Sequence, residues 1–234
     1  MERLCHVALE AAVAAGASYA DARYVCQRQE RVETKNGAVE GLTSVRDRGI
    51  GIRVIADGAW GFAATSDLDP SAVAETARQA VRIARASVTA GGDPVHLAPV
   101  TAVKARSPHS ARVNPCDIPL AKRIELLLDC DRIMAEAADV RLRQGFIVAL
   151  EETKCFASTE GSEIVQDRIE TGAGIEATAT GGGETQRRSY PSSHGGQMGT
   201  RGWELVEELN LPGEAARVAR EAGALLDAPH FPEG

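Results

Sequence analysis

Ile50-Gly51-Ile52-Arg53-Val54-Ile55-Ala56-Asp57-Gly58-Ala59-Trp60-Gly61-Phe62-Ala63-Ala64 is the stretch on which the fold turns. Asp57-Gly58 supplies the two positive-φ positions of a type I′ turn, and the residues on both sides are strand formers, so the stretch reads as a tight hairpin. Asn36-Gly37 repeats the signal upstream. Between the two, Asp47-Arg48-Gly49 separates residues 38–46 from 50–56 and predicts a third reversal. From Tyr19 onward the pattern has a period of two: Ala20, Ala22, Tyr24 and Cys26 fall on one face, and Asp21, Arg23 and Gln27 on the other. The expected unit is an antiparallel meander over about residues 19–64.

Helices bracket it. Leu4, Val7, Ala8, Ala11, Ala12 and Ala15 recur at helical spacing and Gly16 follows as a C-terminal cap. Asp69-Pro70 places an N-cap acceptor before a proline at the first helical position, which predicts a helix over 70–87. The proline- and glycine-rich residues 90–115 read as an extended crossover and a possible sub-boundary. A second helix–meander–helix set follows: a helix over 119–138, strands over 140–150 and 162–180 around Thr159-Glu160-Gly161, and a last helix entered through Leu211-Pro212. Residues 181–199 read as a long loop. The predicted class is α+β, two helix–antiparallel meander–helix halves in mixed helix and sheet layers. One domain is expected over 1–226 and a linker over 227–234.

Composition narrows the function. The 234 residues carry a net charge of −7, which opposes a nucleic-acid footprint. No apolar run reaches the ~18 residues of a membrane-spanning helix. Five cysteines without CxxC spacing and without a signal peptide before them read as thiols of a reducing cytoplasm.

A zincin-type metal site needs two histidines one helical turn apart beside a carboxylate. His6, His96, His109, His194 and His230 are scattered and none has such a partner. GxSxG and GxxxxGK[ST] are absent as well, so no residue is assigned a catalytic or metal-binding role and no cofactor is expected within the chain. Trp60, between glycines just after a hairpin turn, has two readings: a ring lining a groove for an extended peptide, or a core aromatic plugging the meander. Arg53, Trp60 and Phe62 are the groove candidates.

The run 49–65, the upstream Gly16-Ala17-Ser18-Tyr19-Ala20-Asp21-Ala22-Arg23 and the later Ser158-Thr159-Glu160-Gly161 together resemble the TldD/PmbA family of zinc metallopeptidases, in order and over nearly the whole chain. The Asp-Gly-Ala-Trp-Gly-Phe form is more similar to the TldD side. The resemblance implies an amino-terminal α+β domain leading into a β-rich domain with an HExxxH zinc motif and a later cysteine ligand, none of which maps here. On that basis zinc is expected in a carboxy-terminal domain beyond this chain. The complete enzyme would be a cytoplasmic peptide hydrolase that cleaves unfolded or extended peptides inside a homodimer or a heterodimer with a family member. This half would give dimer architecture and substrate access, not catalysis. The competing expectation is a stand-alone or PmbA-like peptide-binding and assembly module.

Overall fold

The computed structural model describes residues 1–229. In chain order the elements are α1 (Glu2–Ala14), β1 (Tyr19–Lys35), β2 (Ala38–Ala56), β3 (Ala59–Thr65), α2 (Pro70–Ser87), β4 (Lys104–Ser107), α3 (Leu120–Met134), β5 (Val140–Ser158), β6 (Glu163–Gly181), β7 (Glu184–Tyr190), β8 (Gln197–Gly199), α4 (Glu204–Leu209) and α5 (Leu211–Ala224). The strands hydrogen-bond in the order β3-β2-β1-β5-β6-β4, with β7 and β8 also on β6. The protein is α+β, as the sequence predicts.

Both hairpin turns form. Asn36 and Gly37 have φ of 47° and 80°, and Asp57 and Gly58 have 52° and 79°, the paired positive values of a type I′ turn. The second closes the register Ala56↔Ala59, Ile55↔Trp60, Arg53↔Phe62. Asp69 caps α2, its carboxylate accepting from the Ser71 N–H at 2.8 Å.

Several expectations need correction. There is no reversal at 47–49, because β2 runs unbroken from Ala38 to Ala56. Gly49 serves close approach instead: a Cβ there would stand 3.1 Å from the Thr65 carbonyl oxygen. The crossover holds a strand, β4, paired in parallel with β6 through Lys104↔Glu163. Residues 181–199 are not one long loop, since β7 and β8 lie within them and only 191–196 connect the two. Gly182 and Gly183, at φ 58° and 86°, turn the chain from β6 into β7 with Gly181↔Glu184 in register. The helix expected over 119–138 ends at Met134, and α4 was not foreseen. Of the residues expected to form a linker, 227–234, Asp227 ends a short 3-10 turn over Leu225–Asp227 and 230–234 lie outside the described residues.

The chain divides into two compact units that alternate along the sequence rather than following one another. Strands of 17 to 19 residues, about three times the usual length, explain the departure from consecutive halves: β1, β2, β5 and β6 each give residues to both units.

Unit one comprises residues 1–27, 46–109 and 152–167. Its core joins Cys5, Ala8 and Ala12 of α1 and Val73, Ala77, Ala80, Val81 and Ala84 of α2 to Ala20, Ala22, Ile50, Ile52, Val54 and Ala63 of the strands. The alanine-rich composition is the reason the helices sit so close. At Gly61 of β3 a Cβ would stand 2.1 Å from the Ala80 carbonyl oxygen and 2.6 Å from the Ala84 nitrogen.

Unit two comprises residues 28–45, 110–151 and 168–234, with a core of Val32, Leu127, Cys130, Met134, Ile147, Ile175, Trp203, Leu211 and Val218 among others. Its polar fastenings are buried. Glu30 accepts from Arg123 at 2.5 Å and from Arg28 at 2.7 Å. Burial opposes its charge, but these guanidinium bonds hold the carboxyl below its ordinary range. Glu204 accepts the backbone N–H groups of Arg112, Val113 and Gly202 at 3.1, 3.3 and 3.1 Å.

All five cysteines are free thiols. Burial pushes Cys5 and Cys116 up to about 11 and Cys130 up to about 12, so these three stay protonated at neutral pH.

Candidate functional site

The alternation that buries Ile50, Ile52 and Val54 beneath the helices of unit one leaves Gly51 and Arg53 on the opposite face. Phe62, paired with Arg53, and Ala64, paired with Gly51, lie on that face too. On β1 the same face carries Asp21, Arg23, Val25 and Gln27. These residues line a groove of about 610 Å³.

Two features shape it. Gly51 has no side chain, and the Phe62 ring leans into the space a Cβ would take, with ring carbons 3.1 and 3.2 Å from that point. Phe62 nevertheless remains 59% exposed, an aromatic surface presented to the groove.

The second is a fixed polar corner. Asp21 is only 4% exposed. One of its carboxylate oxygens, Oδ2, accepts from Arg53 Nε at 2.8 Å and from the Tyr19 hydroxyl at 3.0 Å, and Arg53 Nη2 lies 2.7 Å from it. The Arg53 guanidinium also stands 4.7 Å over the Trp60 ring, and Trp60 meets Tyr19 edge-on at 6.0 Å between centroids. Burial, together with the Asp21 charge, pushes the Tyr19 hydroxyl up to about 12, so it remains a hydrogen-bond donor at any physiological pH.

The three sequence candidates therefore separate. Arg53 and Phe62 line the groove, while Trp60 stands outside its lining, half-buried behind Arg53. Trp60 is not part of the hydrophobic core, since its register with Ile55 places it on the face away from the helices. The sequence reading missed Asp21 as the anchor. Its place opposite the apolar positions of β1 marked it as outward-facing and gave no sign that Tyr19 and Arg53 would both bond to it.

His6 lies on α1, His96 and His109 between α2 and α3, and His194 between β7 and β8, while His230 lies outside the described residues. Among the described residues no group of three or more His, Cys, Asp or Glu side chains is placed to hold a metal ion, so these residues do not fit a metal centre. No helix among them is long and apolar enough to cross a membrane.

The groove is an open sheet face with an apolar floor and a locked ionic corner. Comparison with known proteins supplies the family. Residues 20–84 match the model of PmbA/TldA metallopeptidase domain 1, and residues 113–226 match the PmbA/TldA metallopeptidase central domain. The chain belongs to the PmbA/TldD metallopeptidase family. A metalloprotease of Methanothermobacter thermautotrophicus is 28% identical over 219 residues, covering 92% of this chain and 45% of the relative.

Two solved structures share the fold. One is a Thermotoga maritima protein described as a candidate modulator of a DNA gyrase, with a TM-score of 0.74 and 15% identity over all of this chain and 50% of that one. The other is TldE from Thermococcus kodakarensis, with a TM-score of 0.63 and 13% identity over 94% of this chain and 47% of that one. The chain spans about half the length of the relatives it matches.

Proposed function

We propose that this chain is the substrate-admitting part of a zinc-dependent peptide hydrolase of the cytoplasm, and that it holds unfolded or extended peptides on the open sheet face of unit one. The observation that carries the reading is the groove itself. It has a volume of about 610 Å³, it is floored by Phe62 and Ala64, and it is edged by the Arg53 guanidinium that Asp21 and Trp60 hold in place. Hydrolysis and zinc belong, in this reading, to the part of the relatives' length that this chain does not span.

Pairing with a second family chain is part of the same proposal. It is supported by residues 38–45 of β2, which lie before the point where β3 joins at Ile50. Val39, Leu42 and Val45 are exposed there, and the segment has none of the lysines or prolines that commonly protect a sheet edge.

Calorimetric titration with unstructured peptides tests the peptide reading. The chain should bind them, and Phe62→Ser, at an exposed position that leaves the core intact, should weaken binding. An unchanged affinity in that variant would remove the groove from the account.

A further inference from the structure

The charges around the groove do not cancel. Asp21 and Arg53 neutralise one another, and the same Asp21 oxygen also accepts from the Tyr19 hydroxyl. Asp47 also lines the groove, and its carboxylate accepts the Arg48 backbone N–H at 2.8 Å. Against that single carboxylate stand two guanidinium groups in the lining, Arg23 and Arg48, and neither is joined to a carboxylate among the described residues. Arg23 has instead an aromatic support, its guanidinium 5.4 Å from the centroid of Phe156. The groove therefore has an excess of one positive charge in a chain whose net charge is −7. General surface composition would give the opposite sign.

We infer that the groove selects extended peptides carrying an acidic side chain, with Arg23 as the carboxylate-binding residue. The inference rests on the proposed peptide-binding role of this groove and adds the chemistry of what it prefers. An arginine whose plane is braced on an aromatic ring loses little further freedom when a carboxylate bonds to it, and a charge-assisted bond of this kind is stronger than a neutral one.

The layout also sets a spacing. Phe62 is on β3 and Arg23 on β1, with β2 between them. Two strand intervals are about 10 Å, which an extended peptide covers in roughly three residues at about 3.3 Å each. An apolar side chain resting on Phe62 thus places the residue about three positions along beside Arg23.

The test uses the full chain and three acetylated, amidated peptides that differ at one position, a Glu, Gln or Lys three residues from a leucine. Blocking both ends leaves the side chain as the only carboxylate that varies. The Glu peptide should bind on the order of tenfold tighter than the Gln peptide and the Lys peptide more weakly than either. The preference should shrink as salt rises, because a partly exposed ion pair is screened. R23Q, with its circular dichroism spectrum unchanged, should abolish the difference between the Glu and Gln peptides.

Equal affinity for all three peptides, or a Glu preference that survives R23Q, would overturn the inference while leaving the groove as a peptide site. Binding of none of the peptides would overturn both.

Discussion

Gly61 on β3 lies against the backbone of α2 so closely that a Cβ would come within 2.1 Å of the Ala80 carbonyl oxygen. The obstacle is backbone, which cannot swing aside as a side chain can. Gly61→Ala should therefore lift α2 from the sheet and destabilise the protein by about 1–3 kcal/mol. Chemical denaturation monitored by circular dichroism measures this. A variant as stable as the parent would mean that α2 docks less tightly than described.

Tyr19, Asp21 and Arg53 form one polar unit, and the tyrosine reports on it. Asp21→Asn removes the negative charge and keeps an acceptor. Burial, the larger cause of the Tyr19 shift, remains, so its titration should fall from about 12 toward the ordinary value of 10 without reaching it. Ring-carbon resonances followed against pH would show the change, and an unmoved Tyr19 would break the proposed coupling.

Glu204 should make the protein acid-sensitive. Burial raises its pKa, but the N–H groups of Arg112, Glu204 itself, Gly202 and Val113 outweigh burial and hold it at about 2, below the ordinary value of 4.5. A depressed folded value contributes stability that is complete above the unfolded pKa and is lost as pH falls through the folded one. Glu204→Gln should lower the urea midpoint at about pH 6 by much more than at about pH 3, where the parent has begun to lose the same contribution. A gap that does not narrow on acidification would contradict this.

The exposed edge at residues 38–45 gives a test of pairing. If this edge joins two family chains, Leu42→Lys and Val45→Lys should reduce the mass in solution from dimer to monomer, while changing stability by no more than about 0.5 kcal/mol, as is usual at exposed positions. Light scattering after size exclusion separates the outcomes. A parent that is already monomeric, or variants that remain dimeric, would discard the edge.

Much of the amino-terminal part of the fold was legible because its signals are local. Asn36-Gly37 and Asp57-Gly58 need positive φ, Asp69-Pro70 can only open a helix well, and the alternation around Tyr24 shows which face is buried. What escaped depended on long-range contact. Gly49 looks like a turn residue until the Thr65 carbonyl is found beside it, and residues 104–107 carry no period because a strand of four cannot establish one. Gly182-Gly183 was a hairpin signal read as looseness.

At the candidate groove, Arg53 and Phe62 were visible as exposed partners in a hairpin. The enclosure of Asp21 and the displacement of Trp60 behind Arg53 depend on the packing of three strands, which spacing along one strand does not reveal.

The central claim is that extended peptides lie on the open sheet face of unit one, and hydrogen exchange with an unstructured peptide in excess tests it most directly. The account predicts slowed exchange in residues 19–27, 47–53 and 60–66, with the effect diminished in Phe62→Ser. Protection confined to other segments, or no protection at peptide concentrations that saturate binding, would contradict it.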